Sequence, residues 1–135
     1  MEITMEDGKI LVVDDEPAIR KLFELVFTKQ GYVVGVAESA EEALRLLANE
    51  SFPVMFFDLN LPGMNGIDLC RHVKKDNPRT IVYAITGYTS TFELTDCREA
   101  GFDDYFTKPA NVNDLLKAAA EGFAKNERWA HQSLD

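Results

Sequence analysis

Lys9-Ile10-Leu11-Val12-Val13-Asp14-Asp15-Glu16-Pro17 changes character in its middle. Lys9 to Val13 is a short, mostly apolar run, the pattern of a strand buried on both faces rather than one. Two carboxylates end it. Pro17 then suits a first helical turn, because its ring fixes φ and its missing N–H has no helical partner to lose. Ile19, Leu22, Phe23, Val26 and Phe27 follow at helical spacing, and Gly31 closes the stretch. The segment reads as strand, acidic edge, helix.

The same alternation continues along the chain. Apolar runs recur at Tyr32 to Ala37, Val54 to Phe57, Ile81 to Ile85 and Asp104 to Thr107, the last one short and half polar. Helical texture lies between them. Ser39 with Glu42 three residues on forms a capping box for a second helix carrying Ala43, Leu44 and Leu47. A third helix is predicted from about Gly66 to Asp76, ending before Pro78. A fourth runs from about Ser90 to Ala100, with Gly101 after it. In the fifth, Val112, Leu115, Leu116, Ala119, Ala120 and Phe123 form one stripe, with Asn111 or Asn113 as its cap. Five β-α units in succession predict an α/β, doubly wound fold: a five-stranded parallel sheet with five helices on its two faces. One domain is expected over residues 1–125, followed by a polar tail over 126–135, with Trp129 and His131 beyond the fifth helix. Trp129 either packs back on the domain or marks a partner contact.

In open α/β sheets ligands bind outside the carboxyl ends of the strands. Asp14 and Asp15 follow the first strand, Asp58 the third and Lys108 the fifth, and Thr86 ends the fourth. Topology therefore sends three carboxylates, a hydroxyl and an ammonium to one edge. Carboxylates packed together raise each other's pKa, and a hard divalent cation with oxygen ligands, such as Mg²⁺, removes that penalty. A carboxylate is also a nucleophile able to form an aspartyl phosphate. Transfer of a phosphoryl group needs positive charge near its oxygens, which a metal and Lys108 supply, and Thr86 can hydrogen-bond one of them.

Composition agrees by exclusion. A net charge of −9 disfavours direct contact with nucleic acid or an anionic membrane, both of them polyanions. No apolar run spans a bilayer, and the acidic start Met1 to Asp7 is not a signal peptide. Cys70 and Cys97 lack metal or redox spacing, so reduced structural thiols and a cytoplasmic location are expected. His72 sits among Arg71, Lys74 and Lys75 as a solvated surface residue.

Four segments taken together resemble the receiver domain of two-component response regulators: Leu11-Val12-Val13-Asp14-Asp15, Phe57-Asp58-Leu59-Asn60-Leu61-Pro62-Gly63-Met64-Asn65-Gly66, Ala84-Ile85-Thr86-Gly87 and Tyr105-Phe106-Thr107-Lys108-Pro109. The likeness, to chemotaxis-type regulators among others, runs from Lys9 to about Phe123. It implies the flavodoxin-like strand order 2-1-3-4-5. It also implies Asp58 as phosphoacceptor, and Asp14, Asp15, Asp58 and the Asn60 carbonyl around Mg²⁺ or Mn²⁺. Thr86 and Tyr105 become switch residues, Lys108 contacts a phosphoryl oxygen, and the Lys108–Pro109 bond is cis. Family partners are a histidine kinase or phosphotransfer protein and a downstream protein, with homodimerisation through the face of helix 4, strand 5 and helix 5. The chain is expected to act by binding, without an output domain, and not as an enzyme beyond its own phosphorylation and dephosphorylation. At the positions of Tyr88 and Asn60 the family tunes loss of the phosphoryl group, and a bulky ring at Tyr88 would hinder the attacking water. The small Gly87 leaves the approach open.

Two other classes fit less well. A phosphatase of the haloacid dehalogenase type needs a second Asp two residues after its nucleophile, where this chain has Asn60. A flavin-binding module needs a loop rich in Ser, Thr or Gly after the first strand, where Asp14 and Asp15 would repel a phosphate.

Overall fold

The computed structural model describes residues 8–87 and 91–132, without the side chains of 91–93 and 130–132. Its elements alternate: β1 Lys9–Val13, α1 Pro17–Lys29, β2 Val33–Ala37, α2 Ala40–Leu47, β3 Val54–Asp58, α3 Gly66–Asp76, β4 Ile81–Thr86, α4 Thr91–Ala100, β5 Asp104–Thr107 and α5 Val112–Gln132. The five strands form one sheet in the order β2-β1-β3-β4-β5, and every neighbouring pair is parallel.

Period-two alternation explains why both faces are covered. Ile10, Val12, Val54 and Phe56 enter one cluster with Phe23 and Phe27 of α1 and Leu115 and Ala119 of α5. Leu11, Val13, Met55 and Phe57 enter another with Ala40 and Ala43 of α2 and Leu69, Cys70 and Val73 of α3. The apolar runs of β1 and β3 are continuous because each residue has a helix layer to meet.

Local signals set the helix ends. Ser39 Oγ accepts from the Glu42 N–H at 3.1 Å, and of the two candidate caps for α5 it is Asn111 that accepts, from Asp114 N–H at 3.2 Å. Asn65 caps α3 by accepting from Asp68 N–H at 2.8 Å, a role not read from the sequence. Ser90, the expected start of α4, lies outside the described residues.

The expected polar tail is where structure and sequence reading differ. Asn126 to Gln132 continue α5, and Trp129 lies on that helix rather than beyond it. Its ring packs against the α1–α5 cluster, Lys125 Nζ stands 5.1 Å above it, and Asn126 Nδ2 donates to the Arg79 carbonyl at 2.9 Å. The apolar stripe that ends at Phe123 underestimates the helix because one aromatic, a turn and a half further on, is enough to hold it down.

Candidate functional site

The chain order reverses between β1 and β3, which are sheet neighbours with β2 on the far side of β1. The register pairs Val13 with Phe57, so the next residues, Asp14 and Asp58, leave the sheet side by side. Asp58 pairs with Ile85, and Thr86 pairs with Thr107. The Lys108 N–H donates to the Thr86 carbonyl at 2.8 Å, which starts the lysine from the same edge.

Asp14, Asp58 and Thr86 are buried, at 1%, 4% and 2% exposure, whereas Asp15, Glu16 and Asn60 are exposed. Backbone donors orient the two buried carboxylates. Asp14 Oδ1 accepts from the Glu16 N–H at 2.8 Å, and Asp58 Oδ1 accepts from the Asn60 N–H at 3.1 Å. Arg20 Nη1 donates to the Asp14 carbonyl at 2.8 Å, tying the end of β1 to α1. The second oxygens, Asp14 Oδ2 and Asp58 Oδ2, face Lys108 Nζ at 3.1 and 3.5 Å. Lys108 Nζ also donates to Glu16 Oε1 at 3.1 Å. The Lys108–Pro109 peptide is cis.

The electrostatics follow from burial. Burial raises the Asp58 carboxyl to about 6; the Asn60 N–H opposes the rise, the charge of Asp14 adds to it, and Lys108 opposes it again. Asp14 is raised too, first by burial, against the bond from the Glu16 N–H and the nearby charge of Lys108. Burial alone would lower the Lys108 ammonium, but Asp14, Glu16 and Asp58 together outweigh it and raise it.

The donor set suits a hard cation. Asp14 Oδ2 is buried and makes no hydrogen bond among the described residues; its approach to Lys108 is a charge contact off the hydrogen-bonding direction. A buried carboxylate oxygen in that condition is costly unless a charge completes it. Asp14, Asp15 and Glu16 can bring one oxygen each within 4.8 Å of one another, at a spacing and with a chemistry that fit Mg²⁺ or Mn²⁺. Glu16 was read from the sequence only as the opening of α1. The acid-acid-acid run before Pro17 was its available signal.

Gly66 serves the site through its missing side chain. A methyl group there would collide with the Asp58 carbonyl oxygen and crowd Leu59, so α3 reaches β3 this closely only with glycine. Among the described residues nothing lies within 4 Å of where a Gly87 side chain would start. Tyr88 lies outside the described residues. Tyr105 stands 40% exposed on the edge strand β5, bordering a groove with Leu94, Pro109, Ala110 and Asn111. His72 is exposed, and Cys70 and Cys97 are buried and in no disulfide. Among the described residues no helix is long and apolar enough to cross a membrane.

The family model of the response regulator receiver domain matches residues 10–120. The chain is 37% identical over 122 residues to the alginate biosynthesis transcriptional regulatory protein AlgB of Pseudomonas aeruginosa, covering 90% of this chain and 27% of that protein. It is 34% identical over 119 residues to the DNA-binding response regulator MtrA of Mycolicibacterium smegmatis, covering 88% and 52%. It thus spans about a quarter to a half of the length of these curated relatives. Among solved structures, a CheY-like response regulator receiver domain protein from Methanospirillum hungatei superposes with a TM-score of 0.86 at 35% identity, covering 90% of this chain and 97% of the other. The chemotaxis response regulator CheY4 of Vibrio cholerae gives 0.79 at 28% identity, covering 85% and 98%.

Proposed function

This chain belongs to the response regulator receiver family, and on that premise we propose that it takes a phosphoryl group onto Asp58 and passes the change to a partner-binding face. The observation that carries the proposal is the neighbourhood of Asp58: a buried carboxylate set beside Asp14 by strand register, with Lys108 3.5 Å from its second oxygen. One oxygen of Asp58 is held by the Asn60 N–H. The other, Oδ2, is the nucleophile. Its lone pair attacks phosphorus, the new O–P bond forms, and the donor's bond to phosphorus breaks with the electron pair leaving on acetate or on the kinase imidazole.

Each residue here has a part that its position supports. Asp14 and Asp15 with Asp58 and the Asn60 carbonyl would hold Mg²⁺ or Mn²⁺, which when bound supplies positive charge to the phosphoryl oxygens. Lys108 meets the same charge from the other side. Thr86, buried at the end of β4, is the switch hydroxyl. Tyr105 is the aromatic that follows it, and its exposed resting position leaves room for inward movement. The output is a shifted population of surfaces on α4, β5 and α5, read by a downstream protein or a second copy. The phosphodonor is a histidine kinase or a phosphotransfer protein, and the compartment is the cytoplasm. The molecule then works as a signalling receiver whose chemistry is confined to itself, acting on partner proteins and not on nucleic acid. DNA binding belongs to the printed description of the relative MtrA.

Intact mass after incubation with acetyl phosphate tests this. One phosphoryl adduct that requires Mg²⁺ and is lost in Asp58→Asn is the expected result. An adduct that persists in Asp58→Asn, or none at all together with no binding of beryllofluoride, overturns it.

A further inference from the structure

Lys108 has a third carboxylate partner besides the two buried aspartates. Its shortest hydrogen bond runs to Glu16 Oε1 at 3.1 Å; the bond to Asp58 Oδ2 is 3.5 Å, and the contact with Asp14 Oδ2 is off direction. The two aspartates are fixed by backbone donors. Glu16 stands at the rim, its side chain 58% exposed while that of Lys108 is 18% exposed. Its backbone is held by the same Asp14 carboxylate that faces the lysine, so the loop presents its side chain to Lys108 at a set position.

We infer that Glu16 tethers Lys108 in the resting protein and so acts as a brake on phosphorylation of Asp58, a proposal that rests on the reading of Asp58 given above. An ammonium shared with Glu16 must stretch or give up that bond to meet the oxygens of a phosphoryl group on Asp58. Glu16 is a positioning residue in this scheme: it touches the lysine and acts through it. An ion pair this exposed holds its partners by a factor of about two to five, which sets the size of the brake. The device gives the receiver a rate adjustable at one surface position without altering Asp58, Asp14, Asp15 or the lysine.

The test compares wild type, Glu16→Gln and Glu16→Asp, each with Mg²⁺ and acetyl phosphate, by the rate of adduct formation and by affinity for beryllofluoride. Glu16→Gln removes the charge. Glu16→Asp keeps it but withdraws the carboxylate by one methylene, out of reach of the lysine. Both variants are expected to form adduct about two- to five-fold faster and to bind beryllofluoride tighter by a similar factor. A Glu16→Gln rate at or below wild type overturns the brake. A faster Glu16→Gln with Glu16→Asp unchanged also overturns the tether, because charge alone then repels the donor. If wild type forms no adduct and binds no beryllofluoride, the reading of Asp58 fails and the brake falls with it; a wild-type adduct lost in Asp58→Asn keeps that reading whatever the Glu16 variants do.

Discussion

Asp14 and Asp58 lie side by side because the residues before them, Val13 and Phe57, are partners in one parallel ladder. The fold thus places two buried carboxylates together, 44 positions apart in sequence. Their cost is carried by hydrophobic burial elsewhere and relieved by Lys108 and, in the proposed scheme, by a cation.

That cost predicts a response to metal. Mg²⁺ bound to the folded cluster and not to the unfolded chain adds about 2.7 kcal/mol at one hundred times its dissociation constant. For a chain of this size the melting temperature should rise by roughly 8 to 12 °C at that concentration. Asp14→Asn should remove most of the rise. Differential scanning calorimetry in EDTA and in a Mg²⁺ series measures it, and a wild-type melting point indifferent to millimolar Mg²⁺ counts against the ligand set.

The raised Asp58 carboxyl predicts a pH dependence in metal-free buffer. Folded Asp58 titrates at about 6 from an ordinary value of 3.8. Below pH 4 both folded and unfolded states hold the proton, and the group costs nothing. Between about 4 and 6 the unfolded state gives up its proton first, so wild-type stability falls as pH rises; above 6 the penalty is complete. Asp58→Asn should therefore be more stable than wild type at pH 7, by about 3 kcal/mol. That advantage should shrink as pH falls from 6 to 4. Urea unfolding in EDTA at pH 4, 5, 6 and 7 gives the curve, and a gap that is constant across it would contradict the burial argument.

Gly66→Ala should damage the site without touching a charged group. The added methyl collides with the backbone oxygen of Asp58, and neither α3 nor β3 moves cheaply within a packed layer. A loss of about 1 to 3 kcal/mol is expected, with slower phosphorylation from a displaced Asp58. Denaturation midpoints alongside the acetyl phosphate assay would detect both, and an unchanged midpoint would show that α3 is free to retreat.

The last turns of α5 are expected to contribute to stability. Trp129, the chain's one tryptophan, is half-buried against the α1–α5 cluster. Trp129→Ala should cost about 1 to 2 kcal/mol, less than a fully buried aromatic. Chemical unfolding followed by circular dichroism would measure it. In wild type the indole fluorescence should change in the same transition as the helical signal. Independent transitions would mean that this end of α5 melts by itself.

The sequence by itself determined the elements and their chemistry. Texture alternating between short apolar runs and helical stripes is local physics, set by the periods of strand and helix, so the five β-α units were legible, as were the helix starts at Pro17 and Ser39. The strand-end rule by itself also sends Asp14, Asp58, Thr86 and Lys108 to one edge. The strand order came through the resemblance of four motifs, because periodicity does not say which strands are neighbours. Tertiary structure alone decided the rest. Only the β1–β3 register sets Asp14 against Asp58. Only packing shows that Gly66 has no room for a methyl group, that Trp129 belongs to α5, and that Glu16 reaches Lys108 across 92 positions. A local pattern encodes what a residue does within a turn or two of chain. A hydrogen bond between distant side chains depends on where the whole sheet places them, and no window of sequence contains that distance.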